Sequence, residues 1–213
     1  MKTKNDHDPR AGRIGRRRHQ QGFNLLEILI AMTVTAAVAF VGIPPALDLY
    51  QGLRVRLAAQ EIAAAMYAAR SHAVRHNQSV GLKFRTDRDG VVTYALYRDG
   101  NGNGVRNKDV DSGVDPLVAA PRPLSQLDAR VRFGFPSGCV PRHPSNPTRR
   151  LTRLDDPIRF NDSDLAVFTP LGTSTPGSVY LTDGERHLSA VRTYHRTGKI
   201  LITRYDLETE VWL

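Results

Sequence analysis

From position 28 to position 47 the chain carries no charged residue, and Ile28-Leu29-Ile30-Ala31-Met32 opens a stretch that stays apolar as far as Ile43 and Leu47. Twenty helical residues rise about 30 Å, the thickness of a bilayer's hydrocarbon core. The pattern then becomes amphipathic. Val55, Ala58, Ile62, Ala65, Met66, Ala69 and Ala73 recur at helical spacing, with Arg54, Arg56, Gln60, Glu61 and Arg70 between them. Joined, the two segments predict one helix over 24–76, and the small alanines of its stripe suit close packing against a sheet.

Beyond Gln78 the period falls from 3.6 to 2. Val80, Leu82 and Phe84 alternate, then Val92, Tyr94 and Leu96, on either side of Asp87-Arg88-Asp89-Gly90, a hairpin signal. Weaker strands are expected at 131–135, 165–168 and 178–181. A second hairpin joins 187–196 to 199–206 through Thr197-Gly198. Seven prolines lie between Pro121 and Pro157, and 138–156 is expected to be a surface loop of low order. The fold class is α+β: one long N-terminal helix, transmembrane then amphipathic, packed on an antiparallel β-sheet head.

Charge sharpens this picture. Residues 1–22 hold seven Lys/Arg and two acids, so +5 of the chain's net +9 sits in this leader, which belongs on the cytoplasmic side. A secretory signal would place a small-residue cleavage site after the apolar run. None is there, and the candidate site precedes the run, at Gly22-Phe23. Glu27 stands at the start of the apolar segment, where a carboxylate is costly, by about 2.5–3.5 kcal/mol at a bilayer's centre and less near its edge. Cleavage after Gly22 would leave a free α-amine on Phe23, able to neutralise a neighbouring chain's Glu27. The single cysteine, Cys139, excludes an internal disulfide framework and a cysteine zinc site.

Arg16-Arg17-Arg18-His19-Gln20-Gln21-Gly22, followed by Phe23-Asn24-Leu25-Leu26-Glu27-Ile28-Leu29-Ile30-Ala31-Met32, resembles a type IV prepilin, with Asn24 where Thr or Ser is usual. Three further stretches are similar to the GspH/FimT family of minor pilins and pseudopilins. They are Leu53-Arg54-Val55-Arg56-Leu57-Ala58-Ala59-Gln60-Glu61-Ile62 with Ala68-Ala69-Arg70-Ser71-His72-Ala73-Val74-Arg75-His76-Asn77, Phe168-Thr169-Pro170-Leu171-Gly172 with Pro176-Gly177-Ser178-Val179-Tyr180-Leu181, and the terminal hairpin. The resemblance implies a pilin fold, cutting after Gly22 by prepilin peptidase, N-methylation of Phe23, and filament assembly through Glu27. It implies 1–22 as a removed leader, 23–49 as a single transmembrane helix in the bacterial inner membrane and 50–78 as an amphipathic helix. The β-rich head, 79–213 with a proline-rich insertion near 121–157, would lie in the periplasm. Implied partners are the peptidase, other pilins or pseudopilins and an inner-membrane assembly platform, in a type II secretion pseudopilus or a type IV pilus.

Two binding readings remain on the head. Asp99, Asn101 and Asn103 alternate ahead of Gly104, with Asp109 and Asp111 nearby, like the first half of an EF-hand loop. Position twelve is Val110 rather than Glu, so a Gly/Asn turn stands beside weak calcium as alternatives, and no other cofactor is implied. Between Glu185 and Asp206 there is no acid. A two-residue turn at Thr197-Gly198 would put Arg192, Tyr194, Arg196 and Lys199 on one face, a pattern suited to phosphate contact and base stacking. FimT-like members resemble DNA-uptake receptors, which makes DNA the alternative partner, although Gly198-Lys199-Ile200-Leu201 lacks the second cation of their Gly-Arg-x-Arg element. No catalytic constellation emerges: the serines lack a G-x-S-x-G setting and the histidines an H-E-x-x-H one. A structural subunit is the expected function.

Overall fold

The computed structural model describes residues 24–86, 91–124 and 131–213; the leader with Gly22 and Phe23, and the expected turn at 87–90, lie outside the described residues. Helix α1 spans Leu25–His76. Asn24 caps it, its side-chain oxygen accepting the Leu26 N–H at 3.4 Å. Asn77 ends it in the left-handed conformation, and the Gln78 N–H returns to the Ala73 carbonyl.

The chain divides between Pro44 and Pro45 into two units. The described part of the first is the apolar start of α1. Its large side chains, from Leu25 to Ile43, are exposed. The hydroxyls of Thr33 and Thr35 turn back onto the carbonyls of Ile30 and Ala31, at 2.8 and 2.7 Å. Such back-bonding satisfies each hydroxyl within its own helix. Among the described residues, α1 is the one helix long and apolar enough to cross a membrane.

The second unit holds the rest of α1 and the sheets. In chain order these are β1 (Val80–Thr86), β2 (Val92–Arg98), the short α2 (Asn107–Asp111), β3 (Leu117–Pro123), β4 (Arg132–Phe133), β5 (Arg142–His143), β6 (Asn146–Arg150), β7 (Ile158–Phe160), β8 (Leu165–Phe168), β9 (Gly177–Thr182), β10 (Leu188–Tyr194), β11 (Lys199–Asp206) and β12 (Val211–Trp212). One antiparallel sheet runs β3-β2-β1-β8. The other runs β12-β11-β10-β9, and β4 and β7 pair side by side with the far edge of β9. Both sheets close on the stripe of α1: Val55, Ala58, Ala59, Ile62, Ala63, Met66, Ala69 and Ala73 pack with Leu82, Phe84, Phe168, Leu181 and Val191. Five of these eight stripe residues are alanine, which lets the backbone approach the strands closely. A polar link crosses the same interface. The Tyr94 hydroxyl donates to Glu61 at 2.8 Å, and burial, reinforced by this carboxylate, pushes the phenol up to about 12.

Three expectations are corrected. The segment 138–156 is not a loop of low order. β5 and β6 form a two-stranded ribbon, fixed from outside by the Trp212 Nε1–H donating to the Arg142 carbonyl at 2.7 Å and by Arg142 and Arg150 both gripping Glu210. The same segment covers a second apolar cluster of Leu151, Tyr180, Leu188, Ala190 and Tyr205 on the outer face of the larger sheet. Cys139 is half-buried against that cluster instead of standing free in a loop, and burial pushes its thiol up. The terminal hairpin, finally, turns through four residues, 195–198, because Tyr194 pairs with Lys199.

Candidate functional site

The three stretches of the head that carry the family resemblance converge in space. Arg70, on α1, donates from Nε to the Gly172 carbonyl and from Nη2 to the Thr197 carbonyl, both at 3.1 Å. One guanidinium thus joins the helix, the loop after β8 and the β10–β11 turn. Gly172 and Gly198 are both left-handed, and a Cβ on Gly198 would stand 1.9 Å from the Gly172 oxygen. The glycines are required by this close approach. At the other end of the helix segment, Gly52 leaves room for the His187 ring, which would lie 2.8 Å from a Cβ there. His187 Nδ1 pairs with Asp183 at 2.7 Å. Burial alone would raise the Asp183 carboxyl, but this bond and the backbone N–H groups of residues 185–187 outweigh it and hold the group below the usual carboxylate range.

Residues 58–198, about two thirds of the chain, match the family described as Type II transport protein GspH. The chain belongs to the GspH family. The matched region begins inside the core stripe of α1 and ends on Gly198, so it contains all three arms of the Arg70 clamp, and it lies wholly within the second unit. Gly22, Phe23 and Glu27 precede it. Among solved structures, the minor pseudopilin EpsH from the type II secretion system of Vibrio cholerae is similar at 12% identity and a TM-score of 0.40, over 70% of this chain and 94% of that one. A comparison with curated proteins finds no match.

Glu27 lies in the first turn of α1 and is exposed, where the helix dipole favours an acid. On the head, the basic face read from the sequence is only partly assembled. Tyr194, Arg196 and Lys199 are exposed, and Arg196 sits in the turn. Arg192 is 8% exposed, roofed by the β5–β6 ribbon, and its guanidinium donates to the Pro144 carbonyl and the Ser145 hydroxyl. It therefore ties the ribbon to the sheet, and a substitution there acts on packing as well as on charge. The sequence placed it correctly beside Tyr194 but could not show the cover.

The 99–115 loop uses its carboxylates internally. Asp99, 5% exposed, accepts the N–H groups of Asn101, Gly102 and Gly104. Asp115, 1% exposed and not singled out from the sequence, accepts those of Gly100 and Arg106. Asn103 donates to Asp109, and Asp111 pairs with Arg85 at 2.6 Å. Five backbone donors around two buried acids make a self-satisfied turn. Millimolar calcium is therefore expected to leave the melting temperature of the full chain where chelator leaves it. A native-state ligand at a hundredfold excess over its Kd would add about 2.7 kcal/mol, so a clear calcium-dependent rise would overturn the turn reading.

Proposed function

We propose that this chain is a minor pseudopilin, a structural and non-enzymatic subunit of a type II secretion pseudopilus. The observation that carries the reading is the continuity of α1. A stretch of exposed apolar side chains with no charge between positions 28 and 47 runs, within one helix, into the stripe that forms the core of a GspH-family head. Such a helix needs lipid or other apolar helices around its first half. The basic leader supports a cytoplasmic start, a single pass through the inner membrane and a periplasmic head.

Prepilin peptidase is the processing partner in this reading, cutting after Gly22 and methylating Phe23. Other pseudopilins and the inner-membrane assembly platform are the assembly partners. Mass spectrometry of the protein from its native host is expected to give a mature chain beginning at an N-methylated Phe23. Intact leader in filament-incorporated protein would overturn the reading.

A further inference from the structure

A groove of about 600 Å³ lies between the β5–β6 ribbon and the outer face of the larger sheet, and among the described residues no carboxylate lines it. Its floor is set by strand register. Arg159 on β7 pairs with Ser178 on β9, and Ser178 pairs with Arg192 on β10. Partners directly opposite in adjacent strands share a face, so the two arginine side chains leave the sheet on either side of Ser178, with backbones about 10 Å apart across the three strands. Arg149 overhangs from β6, and His143, His195, Asn161 and Tyr194 are among the other lining residues. Arg192 stacks on the Tyr194 ring at 5.2 Å. Its Nε is buried and has no hydrogen-bond partner among the described residues. Arg150 shares the Glu210 carboxylate with Arg142, whereas Arg149 and Arg159 have no ion pair among the described residues. Burial, and then Arg192, Arg159 and Arg149 in turn, lower the His143 imidazole.

Like charges held together around a buried, unused donor are the complement of a multiply charged oxyanion. The geometry points to a binding site for a terminal tetrahedral oxyanion, a phosphate monoester or sulfate on a sugar-sized carrier, on the row Arg159–Ser178–Arg192. A terminal group protrudes and reaches a cation on the groove floor, whereas the phosphodiesters of a duplex lie on a broad convex surface that meets exposed cations first. The volume exceeds what a bare ion fills. The assignment is independent of the pseudopilin reading, since it uses only the head's own side chains.

Full-length protein in neutral detergent micelles at low ionic strength is titrated with sulfate, inorganic phosphate and glucose 6-phosphate, with acetate as the singly charged comparator. Saturable binding of the doubly charged anions is expected, weak or absent with acetate. Affinity falls about tenfold in Arg159→Gln or Arg149→Gln, the loss of one charge-assisted hydrogen bond. It is unchanged in Lys108→Gln, which removes an exposed charge outside the groove lining. Sulfate does not titrate near neutrality, so its binding should strengthen as pH falls and His143 takes up a proton.

Tighter binding of glucose 6-phosphate than of phosphate identifies a soluble carrier. A larger response to phosphatidic acid doped into the micelles identifies a lipid headgroup, and either supports the site. No saturable sulfate binding, or equal weakening in Lys108→Gln, overturns it. A duplex oligonucleotide that binds far more tightly than glucose 6-phosphate, and loses affinity in Arg159→Gln, also overturns it, in favour of a nucleic-acid surface.

Discussion

Gly198→Ala is expected to destabilise the head by about 3 kcal/mol, a large effect for a single methyl group. Two costs combine. Residue 198 has a φ of +55°, which disfavours an L side chain by about 1–2 kcal/mol. The added Cβ would also lie 1.9 Å from the Gly172 oxygen, a backbone atom that no rotamer change can move aside. The turn and the loop after β8 must separate, and Arg70 then loses one or both of its carbonyl partners, at about 1 kcal/mol each. Gly172→Ala is the control. Its φ is +76°, but the nearest atom to its Cβ is the Arg70 Nη2 at 3.3 Å, the far end of a flexible side chain, so about 1 kcal/mol is expected. Denaturant unfolding of the full chain in micelles would measure both. A Gly198→Ala cost no greater than that of Gly172→Ala would remove the clamp from the account.

Glu27→Leu is expected to insert in the membrane at least as well as the native chain and to enter filaments at least tenfold less efficiently. Removing the carboxylate removes a desolvation cost of up to about 2.5–3.5 kcal/mol at the bilayer centre, and less at the edge. In the proposed assembly the same change deletes the acceptor for the α-amine of Phe23 on a neighbouring subunit. A charge-assisted pair contributes about 1.5–3 kcal/mol, and 1.4 kcal/mol is tenfold in an equilibrium. Quantitative blotting of sheared filaments against membrane fractions would give the ratio. Native-level incorporation would mean that the carboxylate merely reaches the headgroups. Because the Glu27 partner depends on cutting after Gly22, the mature mass should be established first.

The helix and the central strands were legible because their residues obey one local rule each. An uncharged run followed by a 3.6-residue stripe predicted a helix over 24–76, where α1 is Leu25–His76, and alternation placed β1 and β2 to within two residues of their ends. The proline-rich region was not legible for the opposite reason. β6 is exposed along its whole length, so it shows no alternation, and what holds the ribbon is Glu210 and Trp212, about seventy positions further along the chain. β3 was missed because Pro121 and Pro123 argue against a central strand, but it is the edge of its sheet, where a missing N–H is tolerated.

The same long-range cover hid the burial of Arg192. A cation next to an aromatic on a terminal hairpin reads as surface until the ribbon is known to lie over it. Arg159 lies between Ile158 and Phe160, two buried residues that mark its side as the outward one. That signal was present in the sequence but had no register to place it beside Ser178 and Arg192.

Cys139 gives the head a clock. As the chain's one thiol, half-shielded by the cluster beneath the ribbon and raised above its ordinary pKa, it reacts slowly while the segment stays docked. Alkylation by a small maleimide is then expected to quicken as local opening frees the thiol further. A single mass shift tracks that gain in reactivity. A second copy of the chain settling on that face would slow it.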